Sequence, residues 1–339
     1  MSSNLNRRKF IKRTLLYSAG STFTLHMDSG RIFAQGQAEK PTSPNNGLTS
    51  KNTLGPRKAG ALPKGNIAGL SISRLLLGGN LLTHFTHSRD LRYVYNLAAH
   101  YNTEQKILET LSVAEAHGID TLVIHTVGQA MNILKKYRYE HGGKIKWIIC
   151  PTAVIDDTME AYRRQVEQIV EMGVDAVYLW GVRADQLVSQ SRVDLLAYAV
   201  QIAKDNEVPS GVGAHDLKVI IECERHKIDV DFYIKTLHHH NYPSAPKPGE
   251  LTKATSEVPG YWCNNPQKVI DFMKDVQKPW IAFKVMAAGA IAPPDAFGYA
   301  FENGADHILA GMFDFEIAED VHIAKTALSK IKRSRPWRS

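Results

Sequence analysis

Lys235 and Lys284 each interrupt a short β-rich run, Asp231 to Leu237 and Trp280 to Met286. Side chains alternate along a strand, so the neighbours of each lysine decide where its amine points. In the second run Ile281, Phe283 and Val285 share one face, and Ala282, Lys284 and Met286 the other. With the apolar trio against helices, Lys284 turns toward the opposite side. The same sorting sets Phe232, Ile234 and Thr236 against Tyr233, Lys235 and Leu237, and sends Lys235 the same way. Two amines in one water-poor space disfavour the ammonium form, and burial acts in the same direction. A neutral lysine is a general base or an imine-forming nucleophile. Two charged lysines would instead hold a carboxylate or phosphate. A third reading pairs each with its own acid, such as Asp314 or Asp216.

His125 and His215 close two further runs, Thr121 to His125 and Ser210 to His215, and sort to the same side with Tyr178 and Trp180. Imidazoles there suit proton transfer or metal ligation, although a hydrogen-bonded core role competes with both. Tyr178 and Trp180 offer a flat stacking face for a sugar ring or similar ligand, or simply fill space. Tyr233, His238 and Asp314 complete the expected substrate contacts. In His238-His239-His240 consecutive side chains splay, so at most one or two serve a site.

These residues need a scaffold that brings strand ends together. Eight β-rich runs alternate with helical patterns: Ile72–Leu77, Thr121–His125, Lys146–Cys150, Ala176–Trp180, Ser210–His215, Asp231–Leu237, Trp280–Met286 and His307–Gly311. The spacing predicts helices near Thr103–His117, from about Gln129, then Ile155–Met172, Val193–Lys204, Leu217–Arg225, Pro266–Val276, Pro293–Asn303 and Ile317–Ile331. Gly118-Ile119-Asp120, Gly173-Val174-Asp175 and Gly304-Ala305-Asp306 sit where a helix ends and a strand begins, the place for a left-handed cap. Eight such units in roughly 270 residues imply a single (β/α)₈ TIM barrel over 65–333, with its chemistry at the C-terminal strand ends. A long segment at about 241–264, holding Tyr242, Tyr261 and Trp262, has the length of a binding loop or lid.

The formal net charge of +7 is unevenly spread. The first 64 residues carry eleven Lys/Arg and two Asp/Glu, so the remainder is slightly acidic. A nucleic-acid partner would need a basic face on the folded part, and the balance offers none. The basic end, Lys330 to Arg338, is expected to be solvated. Cys150, Cys223 and Cys263 lack metal-type spacing; one disulfide or three buried thiols both remain open. No second membrane span is expected.

Asn6-Arg7-Arg8-Lys9-Phe10-Ile11-Lys12, ahead of a weakly apolar run from Thr14 to about Met27, resembles a twin-arginine export signal. The resemblance implies a signal region at 1–34, a flexible linker at 35–64, the export machinery as a partner, and a periplasmic or extracellular destination. Ile72-Ser73-Arg74-Leu75 through Gly78-Gly79-Asn80, and Gly118-Ile119-Asp120-Thr121, resemble the aldo/keto reductase family. That likeness implies the barrel and raises NADP as a cofactor. The family's tetrad does not carry over: His125, Thr126-Val127-Gly128, Cys150-Pro151 and Trp180 occupy the places of its Asp, Tyr, Lys and His. Ala288-Gly289 and the stretch from Gly304 to Gly311 are similar to phosphate-binding barrels, and His215, His238 or His240, and Asp314 to metal-dependent amidohydrolases. A divalent metal is therefore a second cofactor option.

The expectation is an exported barrel enzyme acting on a small hydroxylated, sugar-derived carbonyl compound by lyase or isomerase chemistry. His215 would transfer the proton, Lys284 would stabilise the developing negative charge electrostatically or as an imine, and Lys235 would orient the substrate. An NADP-dependent reductase and a metal-dependent hydrolase are the alternatives.

Overall fold

The structure, a computed structural model, describes residues 61–339. The twin-arginine run and most of the expected linker lie outside them. Of that linker, residues 61–64 are described: Leu62 is buried in the core and Lys64 opens the first strand.

Eight parallel strands close a barrel, each paired with its sequence neighbour: β3 (Leu75–Gly78), β4 (Thr121–His125), β5 (Lys146–Cys150), β6 (Ala176–Leu179), β7 (Ser210–Ala214), β8 (Phe232–Thr236), β9 (Trp280–Phe283) and β10 (His307–Ala310), with β10 returning to β3. The expected barrel is thus observed. The first expected run, however, splits in two. Ile72 belongs to a hairpin of β1 (Lys64–Ile67) and β2 (Leu70–Ser73), turned through Ala68 and Gly69. Both turn residues have positive φ, 47° and 89°, as a two-residue hairpin whose twist matches its strands requires. Arg74 breaks the run by leaving the strand direction to donate to the Asp306 carbonyl at 2.9 Å.

Leu76, Val123, Ile148, Cys150, Tyr178, Phe232, Ile234 and Ile281 fill the barrel interior, while hairpin residues Ile67 and Ile72 pack into the same cluster. Leu75, Leu77, Trp147, Ile149, Tyr233 and Ala282 face the helices instead. The filling is tight: a Cβ on Gly211 would lie 2.4 Å from the Phe232 ring, so glycine there makes room for the ring. A buried ring of that size contributes roughly 1.5–3 kcal/mol through the apolar surface it removes from water.

The alternation in β8 and β9 runs opposite to expectation. Phe232, Ile234, Ile281 and Phe283 point inward, and Ala282 outward. The rule that bulky residues belong against helices fails because a barrel interior also demands bulky, branched side chains. Lys235 consequently lies outside the barrel wall.

Two helices were not foreseen, Arg92–Tyr101 and Gly181–Ser189. The expected helix Ile155–Met172 begins only at Glu160. The C-terminal residues are also not the solvated tail their charge suggests. Arg335 is fully buried and donates to the equally buried Asp306 at 2.6 Å. Arg74 and Arg333 both lie against the Trp337 ring, at 3.8 and 3.5 Å from its centre. Gly304-Ala305-Asp306, which entered the comparison with phosphate-binding barrels, belongs to this N-terminal end, away from Gly311. Cys150, Cys223 and Cys263 are buried and free.

Candidate active site

A cavity of about 510 Å³ opens at the C-terminal strand ends. His125, Tyr178, Trp180, His215 and Lys284 all line it, so five of the residues singled out from sequence converge.

Lys284 arrives by a route the alternation rule does not contain. β9 ends at Phe283, and Lys284 adopts a left-handed φ of 56°, which breaks the strand direction and swings its amine into the mouth. Its Nζ lies 2.6 Å from His87 Nε2. His87 Nδ1 in turn contacts the Glu257 carboxylate. With the amine donating to Nε2, the Nδ1 proton of His87 faces Glu257, giving a continuous chain from carboxylate through imidazole to amine. Trp262 closes over the same group, its ring centre 5.5 Å from Nζ. Burial pulls the Lys284 midpoint down to about 7, against the partial opposition of Glu257 and Asp185. Burial alone would raise Glu257; the hydrogen bond from His87 and nearby positive charge bring it below the ordinary carboxylate value.

His215 forms a second arrangement. Its Nδ1 sits 2.7 Å from Asp185 Oδ2, and the backbone N–H groups of His215 and Asp216 donate to Oδ1 of the same carboxylate at 3.1 and 3.0 Å. Asp185 belongs to the unforeseen helix Gly181–Ser189, which starts directly after β6. The carboxylate fixes the ring so that its other nitrogen is the one offered to the cavity. Burial nevertheless lowers the His215 midpoint, outweighing Asp185. His125 lies edge-on to Trp180, ring centres 5.7 Å apart, and its buried Nδ1 has no partner among the described residues. Burial first, then the charges of Lys284 and His87, lower it to about 4, so it is neutral at physiological pH.

Four expected contacts fall elsewhere. Lys235, 1% exposed, donates to the carbonyl and hydroxyl of Thr236 at 3.1 and 2.8 Å behind the wall. Tyr233, on the same outward face, hydrogen-bonds Glu224. His238 accepts the backbone N–H groups of Trp262 and Cys263 on Nε2, at 2.9 and 3.1 Å. It therefore pins the 241–264 segment and holds Trp262 over Lys284 without touching the cavity. Asp314 is taken by Tyr101 and Lys106, at 2.7 and 3.1 Å. With His215 on Asp185, His238 on backbone and His240 on the Cys263 carbonyl, the set considered for a metal does not gather. Among the described residues no three His, Cys, Asp or Glu side chains are placed to hold a metal ion.

Sequence reasoning missed His87, Glu257 and Asp185 as site residues, and also Glu316 and Asp320, which line the far side of the cavity. A histidine in the loop after the first barrel strand was the only available signal for the first.

No family profile matches the chain, and no curated protein does. Solved structures do. A protein described as an aldo-keto reductase from Pseudomonas aeruginosa superposes with a TM-score of 0.52 at 18% identity, covering 78% of this chain and 95% of its own. Aldo-keto reductase AKR11C1 from Bacillus halodurans, in its holo form, gives 0.51 at 10% identity, covering 81% and 98%. A variant of Gox0644 in complex with NADPH gives 0.52 at 10% identity, covering 81% and 95%. At such identities the likeness shows the fold: a (β/α)₈ barrel of the kind aldo/keto reductases use.

Proposed function

We propose that the chain is an enzyme that binds a small carbonyl compound in the mouth cavity and exchanges a proton with it through Lys284. The observation that carries this reading is the Glu257–His87–Lys284 chain, which aims at the cavity an amine whose burial brings its midpoint down to about 7. A group poised near the working pH is efficient in both directions of proton transfer. As ammonium it donates to a carbonyl oxygen, the proton step of a reduction. As free amine it removes a proton beside a carbonyl, the step of an isomerase or lyase.

The fold likeness favours the first, so oxidoreductase is the proposed class. A nicotinamide cofactor, when bound, would supply the hydride. The aromatic lining suits a flat ring, but among the described residues the only lysine or arginine lining the cavity is Lys284, already engaged by His87. The phosphates of a dinucleotide thus find no cation there, and no residue is assigned to the cofactor. One observation favours the second class: the places of the family's tetrad hold His125, Cys150 and Trp180 at the ends of β4, β5 and β6.

A panel of hydroxylated aldehydes and ketones assayed with NADPH and NADH, beside deuterium uptake at the carbon next to the carbonyl without cofactor, separates the classes. Reduction should slow as pH rises through about 7, because the donor loses its proton; proton abstraction should quicken over the same range. Silence in both assays, with Lys284→Met leaving ligand affinity unchanged, would sink the enzyme reading.

Export by the twin-arginine route is proposed from Asn6 to Lys12, with a periplasmic or extracellular destination. No helix among the described residues is long and apolar enough to cross a membrane. Replacing Arg7 and Arg8 by lysine should leave the protein in the cytoplasm; unchanged export would refute the signal.

A further inference from the structure

The mouth cavity has a second side that the proton-transfer groups do not explain. The loop from Val285 to Pro293, together with Gly311 and Phe313, lines it with apolar side chains and backbone. Into this lining the helix Ile317–Lys330 and the residue before it bring two carboxylates, Glu316 and Asp320. Glu316 accepts the Phe313 N–H at 2.9 Å. Asp320 is only 5% exposed, yet its carboxylate accepts no hydrogen bond from any described residue. The charges that act on it, Glu316 and Glu319, are both negative and sit on its own stretch of chain. Among the described residues the other titratable groups lining the cavity, Tyr178, Lys284, His87, His125 and His215, are gathered around the strand ends, and no arginine lines it. A buried carboxylate without a partner is expensive, and structures retain such a group where something else completes it. Lone desolvation and like charge raise its midpoint to about 7, consistent with a partner still to come.

We propose that Asp320 and Glu316 form a subsite for an organic ammonium group, so that the mouth takes a carbonyl compound or sugar bearing an amine. The inference rests on the mouth being the substrate site. An ammonium would donate to both carboxylates while its carbon skeleton lies on the apolar lining of Val285, Ile291 and Phe313. A metal ion is the poorer occupant, since among the described residues no third His, Cys, Asp or Glu joins the two carboxylates on that side. A phosphate is the poorest, facing two like charges.

The test is direct binding, read by calorimetry and by quenching of Trp180 and Trp262, at about pH 7.5, where Asp320, with its midpoint of about 7, and the weakly basic probe amines are both substantially charged. Glucosamine is compared with glucose, and aminoacetone with hydroxyacetone. The amine of each pair should bind roughly tenfold or more tightly, the worth of one charge-assisted bond. That advantage should vanish in Asp320→Asn and shrink in Glu316→Gln, both near-isosteric changes that keep the Phe313 contact. Equal binding within each pair, or an advantage that survives both substitutions, overturns the ammonium subsite but leaves the mouth as a binding site. Binding of neither pair overturns both readings together. Saturable binding of Mg²⁺ or Ca²⁺ alone, abolished by Asp320→Asn, overturns it in favour of a metal.

Discussion

The two ends of this barrel treat buried charge in opposite ways. At the N-terminal end Asp306 accepts from Arg335 and from the backbone N–H groups of Trp280 and Arg338, at 2.6, 2.9 and 2.9 Å, with Arg333 alongside. Arg74, Arg333 and Arg335 gather around this one aspartate, and the first two also lie on the Trp337 ring. At the C-terminal end Lys284 has an imidazole in place of an acid, and among the described residues His125 Nδ1 has no partner and Asp320 has only like charges beside it. The N-terminal charges are paired with one another, with the Nε atoms of Arg335 and Arg338 left over. At the mouth Lys284 and Asp320 have no opposite charge bonded to them among the described residues, which is where a ligand can supply one.

The sharpest break of this contrast is Lys284→Met. Turnover should fall roughly a hundred- to ten-thousand-fold, the usual worth of a positioned acid–base group. Stability should move the other way. A lysine whose folded midpoint lies near 7, below its unfolded value, penalises the fold fully at low pH. That penalty fades as pH rises from about 7 toward the unfolded midpoint. The variant should therefore gain stability over the parent at pH 7, by an amount on the order of a few kcal/mol at most, with a smaller gain at pH 9 in parallel denaturant titrations. A loss of stability at pH 7 would place Lys284 with the structural charges.

Asp306→Asn is the counterpart at the other end. It strands Arg335 and Arg333 without their acid, and removing one member of a buried pair costs roughly 3–5 kcal/mol. Urea midpoints would show it, while activity per folded molecule should hold. A smaller effect is expected for Asp185→Asn, which lets the His215 ring change tautomer and orientation. Its rate should drop about tenfold or more with KM little changed, as for groups that position a proton-transfer residue. Lys235→Met, like Lys284→Met, should gain stability at pH 7, because burial lowers this lysine's midpoint too and one hydroxyl and one carbonyl do not offset burial of an ammonium. Activity should be untouched; a large loss would return Lys235 to the site.

The periodic parts of the chain made the architecture legible. Thr121–His125, Lys146–Cys150 and Leu217–Arg225 fall where alternation and helical spacing put them. Interior-versus-exterior assignment failed in β8 and β9 because both surfaces of a barrel strand are apolar, so hydrophobicity does not label the faces. Lys284 still reached the site, through a backbone turn that pattern reasoning cannot see. His87 and Glu257 were illegible for another reason. They lie 170 residues apart in loops, and nothing local records that the two loops meet over one strand end.

The 241–264 segment supplies both Glu257 and Trp262 to Lys284, held by His238 rather than by the barrel staves. Basicity at the mouth is thereby delegated to an accessory stretch of chain. Descendants of this gene can retune the amine by editing one appendage, leaving the load-carrying cylinder as it was inherited.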